Sequence, residues 1–428
     1  MTTNFKVTTS TNDISTLCKS YTSGVKQYST GFISNGQDIC NILSPYVAGK
    51  ILYTSNFYVN SNNTSFDIFN LFQNVGTGNA SSNVTISATA GNTVNCIYFD
   101  NSNNMYIGGI FTTINSITGF NNFAKYDGTS WINFTSSILS GEVKDIVVTK
   151  NASIYIGTTS NLLNYIATYN YNNSQWETLS SGLPNTATVL EYDPDKEIIW
   201  IGGVFGNPLN RVCYYNISTN SFNRIPPGTN TCGVNALCNA ITRANNDIVY
   251  FGGEFTFYNN NSATSTRCNY LCSYANSNFN ILGSDSNISG CGVNNTVQAL
   301  AYDSSNSKLY VGGTFTIAYN SSVSSINASR IACWDENTRQ WSSIGPGFNG
   351  GVNGLAINNG VLYATGGFTK TGDNITSIPY VAAYVNSTWV KVNSSVNGTG
   401  NAVNVNSNNE LFIGGNFGFP YRYLFKIS

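Results

Sequence analysis

The chain has 428 residues, a net charge of −1, only 9% charged residues and no histidine. A usual globular chain is about 25% charged, so a surface built on phosphate neutralisation of nucleic acid is excluded. The missing histidine removes Ser-His-Asp and Cys-His pairs, histidine metal clusters and histidine general bases.

In chain order, the opening Met1-Thr2-Thr3-Asn4-Phe5-Lys6-Val7 shows no basic region followed by an apolar run, so no secretory signal is expected there. Either a start Met was added to mature numbering, or the chain reaches the outside by another route. No run nears the ~20 apolar residues that span a bilayer, so no membrane insertion is expected. Residues 1–65 read as a small N-terminal extension, an anchoring or assembly module, and 66–428 as one large domain.

Within that domain a phrase recurs at roughly 50-residue spacing, the range of propeller blades. It begins as Tyr106-Ile107-Gly108-Gly109-Ile110-Phe111 and returns at Trp200–Phe205, Tyr250–Phe255, Tyr310–Phe315 and Phe412–Phe417. Two copies are worn. Tyr155-Ile156-Gly157 loses the second Gly and the Phe, and Tyr363-Ala364-Thr365-Gly366-Gly367-Phe368 has Thr for the first Gly. Each copy is preceded by an apolar strand such as Val297-Gln298-Ala299-Leu300. A third run follows, with a small residue at Ala124, Ala167, Ala332 and Ala382 and at Cys213 and Cys272. A fourth run opens on Trp131, Trp176, Trp341 or Trp389, or on Phe222 or Phe279. Four short β-branched or aromatic runs divided by Gly, Asn and Ser make one four-stranded blade. The Gly pair implies a close backbone approach or a bulge, and its Phe a plug between blades. The fold expected is all-β, a seven-bladed β-propeller. The alternative is a six-bladed ring with one repeat unpaired.

The last repeat lacks a fourth strand: after Phe417 only Tyr423-Leu424-Phe425-Lys426 follows. Phe72-Gln73-Asn74-Val75-Gly76-Thr77-Gly78 matches Trp341-Ser342-Ser343-Ile344-Gly345-Pro346-Gly347 in spacing. Residues 68–78 are therefore expected to close the seventh blade and remove an exposed sheet edge.

Chemistry is sparse. Glu191-Tyr192-Asp193-Pro194-Asp195-Lys196-Glu197 is the densest acidic stretch, and its Asp-Pro-Asp core reads as a hairpin turn. No phosphate loop, Asp box or metal-ligand spacing is found, so no cofactor, metal or catalytic residue is expected. Paired carboxylates of a His-independent glycosidase stay the remote alternative. Ten cysteines include no Cys-x-x-Cys. Cys268 and Cys272 are too far apart along an extended strand to bridge, while Cys232–Cys291 or Cys18–Cys40 are the disulfides to test against buried thiols. Asn-x-Ser/Thr sequences, at Asn133, Asn151, Asn216, Asn327 and Asn386 among others, are attributed to chance in an Asn-rich chain. Phe120, Tyr258, Tyr319 and Tyr421, in loops after the Gly-Gly-x-Phe phrase, are the candidate contact surface for a glycan or receptor.

The run Leu309-Tyr310-Val311-Gly312-Gly313-Thr314-Phe315-Thr316, then Arg330-Ile331-Ala332-Cys333-Trp334-Asp335, then Trp341–Gly347, resembles the repeat of kelch-like propellers in fungal cortical polarity-marker proteins and bacterial surface proteins. The phrase Phe32-Ile33-Ser34-Asn35-Gly36-Gln37-Asp38-Ile39-Cys40-Asn41-Ile42-Leu43 is similar to one in viral fibre and virion proteins. The propeller resemblance implies fold and not function; the second phrase, taken with the absent secretory pattern, the near-zero charge and the asparagine bias, implies a non-enzymatic structural or attachment protein of a giant DNA virus particle. It would hold other virion or surface proteins through residues 1–65 and present the propeller to a glycan or host receptor. The alternative is a secreted or cell-surface adhesion module.

Overall fold

The computed structural model describes residues 92–134, 139–229, 231–261, 264–283, 291–321, 323–392, 396–418 and 423–427, with five short strand segments before residue 92. Six four-stranded antiparallel sheets follow one another along the chain. Their innermost strands are Thr93–Phe99 (sheet I), Val143–Val148 (II), Ala187–Asp193 (III), Cys238–Arg243 (IV), Val297–Asp303 (V) and Val352–Asn358 (VI). Sheet VII starts with Thr399–Val405, Leu411–Asn416 and Tyr423–Ile427. Each innermost strand packs beside that of the next sheet, and the strand of sheet VII packs beside that of sheet I. The architecture is a β-propeller. Strand direction divides it into two faces. Short turns join first to second and third to fourth strands on a turn face. Longer connections, from second to third strand and between sheets, crowd a loop face.

The Gly pair works at the sheet boundaries. A Cβ on Gly312 would lie 2.6 Å from Val352 Cγ1, the first residue of the next innermost strand. The same clash arises between Gly202 and Cys238 Sγ at 2.6 Å and between Gly414 and Val94 Cγ1 at 2.5 Å. The second Gly faces a carbonyl of its own sheet, as Gly313 faces that of Thr296. There every innermost strand carries a one-residue bulge, for example between Val297 and Ala299. Sheet VI reverses the pairing of sizes. Thr365 replaces the first Gly, and the residue it meets in sheet VII is Gly400, whose missing side chain leaves the room. The plugs Phe111, Phe205, Phe255, Phe315, Phe368 and Phe417 and the small slots Ala124, Ala167, Cys213, Cys272, Ala332 and Ala382 are all buried.

Bulge residues tie neighbouring sheets together. Asn95 Nδ2 donates to the Val143 carbonyl (3.0 Å), Thr188 Oγ1 to Cys238 (2.6 Å), Asn239 Nδ2 to Val297 (3.2 Å) and Asn353 Nδ2 to Gly400 (3.0 Å). Asn401 Nδ2 reaches Thr93 Oγ1 (2.9 Å), so sheet VII is bound to sheet I by the same device, and Asn404 Nδ2, outside the bulge, adds a bond to the Ile97 carbonyl (2.9 Å).

The strand beside Tyr423–Ile427 is Val84–Ser87, with Thr85 opposite Tyr423 and Val84 opposite Leu424. The expected segment 68–78 lies outside the described residues. By register, Val84 and not Val75 holds the place of Leu179 and Val392, whose amides face Ile166 and Val381 in sheets II and VI. The closing strand is selected by backbone pairing, so an aromatic counterpart of Trp341 was a misleading cue. Its other edge pairs with Thr113–Ile114 of the sheet I loop hairpin, a contact without a sequence signal.

The exchange of sizes at the boundaries predicts a coupled pair. Gly312→Thr should cost about 1–3 kcal/mol by overpacking. Adding Val352→Gly, which copies the Thr365–Gly400 boundary, should give a double variant more stable than the sum of the single losses. Urea melts of all four forms measure this, and strict additivity would contradict the boundary mechanism.

Candidate binding face and groove

The loop hairpins alternate inward and outward residues. In sheet IV, Phe257–Asn259 pairs with Thr266–Arg267. Tyr258 points inward, is 6% exposed and packs on Phe279 at 5.6 Å. Ile114, Ala318 and Thr371 stand equally buried at the matching positions of sheets I, V and VI. Phe120 is 1% exposed and lies four residues before the small slot of its sheet, as Leu163, Leu209, Cys268, Ala328 and Ile378 do in theirs. Phe120 and Tyr258 are thus core residues and offer no contact surface. Tyr319 is half-buried, and Tyr421 lies outside the described residues.

The side chains that do project were missed by choosing residue type over strand phase. Among the described residues the exposed large apolar side chains include Ile117, Leu162, Phe257, Val323 and Ile375, each in the second-to-third-strand connection of a different sheet: I, II, IV, V and VI. All five therefore belong to the loop face. Two others, Ile132 and Tyr171, lie elsewhere. Asparagines shape the connections. Asn235 Oδ1 accepts the amides of Thr256 (2.9 Å) and Phe257 (3.0 Å), and Asn294 and Asn349 repeat this in sheets V and VI. Between the connections of sheets III and IV a groove of about 950 Å³ opens, lined by Asn207, Arg211, Thr229, Thr231, Phe257 and Asn261 among others.

The turn face is different in charge. Asp193 Oδ1 accepts the amides of Asp195 and Lys196, which makes Asp-Pro-Asp the turn expected. Arg243 binds Asp193 at 3.0 Å and Asp195 at 2.7 Å, Lys196 binds Asp247 at 2.9 Å, and Lys150 pairs with Glu197. These pairs link sheets II, III and IV. Two carboxyls lie deeper, on the innermost strands. Burial raises Asp145 to about 7 against amide hydrogen bonds from Leu190 and Ile146, and burial raises Glu191 to about 7. Asp145 staples sheet III through the Leu190 amide at 2.8 Å, a structural duty. No group of three or more acidic, cysteine or histidine side chains among the described residues could hold a metal ion. Cys232 and Cys291 are not bridged. Cys40 lies outside the described residues, and with it the Cys18–Cys40 alternative. Cys268 and Cys272 form no disulfide, as expected, although both are buried and left-handed Asn269 and Tyr270 (φ 48° and 71°) bend the chain between them. Burial pushes the Cys272 thiol well up, so it is a poor nucleophile.

A family model described as the Rax2 C-terminal beta propeller domain matches residues 66–210 and 285–383. The chain belongs to this Rax2 propeller family. No curated protein matches the sequence. Among solved structures, the Rax2-type chain is similar to the extracellular domain of the putative one component system BT4673 from B. thetaiotaomicron. The TM-score is 0.54 at 16% identity, over 80% of this chain and 39% of the other. The extracellular domain of the putative hybrid two component system BT3049 from the same organism gives 0.50 at 14%, over 79% and 40%. A chain of the Mitotic Checkpoint Complex gives 0.52 at 10%, over 78% and 90%. The chain thus spans about two fifths of the length of the bacterial proteins it matches, and at these identities the likeness is one of fold. No helix among the described residues is long and apolar enough to cross a membrane.

The raised carboxyls set a pH dependence. The folded state keeps two protons that the unfolded chain releases near pH 4, so the contribution of these two carboxyls to stability falls as pH rises from about 4 toward 7. Between pH 7.5 and pH 5, unfolding free energy should rise by at most about 2 kcal/mol per carboxyl, less where solvent screens the group. Asp145→Asn with Glu191→Gln should flatten that slope in urea melts across the pH range. The carboxyls of Asp127, Asp335, Asp373 and Glu410, held below their usual range, act only at lower pH.

Proposed function

We propose that this Rax2-type propeller is a non-enzymatic attachment module that works outside the cell and uses its loop face to hold a partner. The observation that carries the reading is the concentration of projecting apolar side chains on that face, with Val323 94% and Ile375 81% exposed. Isolated exposed apolar residues are ordinary, but here they recur at equivalent connections of five sheets. The turn face instead carries neutralised and solvated charge. Chain direction supports the same polarity. Val84–Ser87 runs antiparallel to Tyr423–Ile427 and hence toward the loop face. Val84 thus sits at the turn-face end of the sheet, away from the loop face. The extracellular setting of the bacterial neighbours fits this reading. The finer assignment to a virus particle rests on the Asn35-Gly36 phrase taken with the near-zero charge, the asparagine bias and an opening without a secretory pattern. Proteomics of purified particles tests it, and absence of the chain from them would defeat it.

Beads coated with the chain should adhere to target cells or particles. Combined Ile117→Ser, Val323→Ser and Ile375→Ser should reduce adhesion at least several-fold at unchanged thermal stability. Asp195→Ser with Asp247→Ser, on the turn face, should leave it intact. Equal adhesion by both variants would remove the loop face from the mechanism.

A further inference from the structure

We propose that the groove between sheets III and IV binds an acidic saccharide, with a sugar ring against Phe257 and its carboxylate or sulfate on Arg211. This deepens the attachment reading and rests on it. Phe257 is the one exposed aromatic side chain among the groove's lining residues, at 36% exposure. The Arg267 guanidinium stands 5.8 Å from its ring centroid and holds it as a platform. A partly exposed aromatic ring suits the apolar side of a pyranose, while neighbouring amides and hydroxyls suit its hydroxyls. Asn207, Thr229, Thr231 and Asn261 supply those groups. The floor is preset: Asn261 Oδ1 accepts the Thr229 amide at 3.0 Å and joins the two walls.

Charge selects the sugar class. Arg211 is the one charged residue lining the groove. No carboxylate among the described residues forms an ion pair with it. A guanidinium so placed in a polar cleft accepts a carboxylate or sulfate in paired hydrogen bonds. A neutral glycan would leave that capacity to water. A nucleic acid would need a basic stripe that a chain of net charge −1 lacks.

The full chain on a glycan array should bind sialylated, uronate-bearing or sulfated glycans over their neutral counterparts. The carboxylated and sulfated arms identify which anion is preferred. Arg211→Ala should weaken binding about tenfold or more, Arg211→Lys less, and Phe257→Ala several-fold. Asp195→Ser, on the turn face, should bind as the parent chain does. Thermal melts confirm folding. Equal retention of neutral glycans, indifference to Arg211→Ala in a folded variant, or no glycan bound overturns the proposal. The attachment reading survives those results if the apolar-tip variant still loses adhesion.

Discussion

The ring depends on a match of volumes where one sheet meets the next. A blade presents a residue without a side chain, and the neighbour presents Val or Cys into the gap. The contact brings innermost strands close enough for bulge-position amides and hydroxyls to reach across. Packing and hydrogen bonding are thus one arrangement: a larger residue in the gap would push the strands apart and break the polar ties. Close packing of this kind leaves little slack, since a void or an added methylene is felt at once.

The polar ties explain why a chain so poor in charge can be so rich in asparagine. Read as composition, Asn looks like a solubilising residue or a mark of genome bias. In the folded molecule many asparagines are builders. They clasp the next sheet from the bulges, brace the loop hairpins and cap turns, as Asn216 does by accepting the Thr219 amide at 3.0 Å. Amides both donate and accept, which lets one side chain satisfy several backbone groups in a crowded connection. Asp plays the acceptor half of this role in the turns after Asp100, Asp193, Asp303 and Asp335.

Much of this was legible in the sequence because it repeats. The glycine phrase, the small third-strand slot and the Asp-Pro-Asp turn are readable as patterns, and each has the expected structural role in the fold. What failed depended on phase or on distant pairing. Tyr258 and Phe257 are adjacent, yet one is core and the other projects, and only the hairpin register decides between them. Phe120 looked like a lone loop aromatic because its equivalents are Leu, Cys, Ala and Ile. Val84 carries no aromatic flag, so the strand beside Tyr423 was sought too early in the chain. Thr365 looked like decay of the motif until Gly400 was seen opposite it.

That last pair gives the circle a memory of order. Five repeats carry the intact motif, but the sixth can be followed only by a partner that has surrendered its own side chain. Moving the sixth repeat elsewhere would drive a threonine into a valine, and placing another before the seventh would leave a hollow. The repeats are therefore not interchangeable tiles. A duplication or shuffling event crossing this junction would have to carry both residues together, so the two should be inherited as a unit.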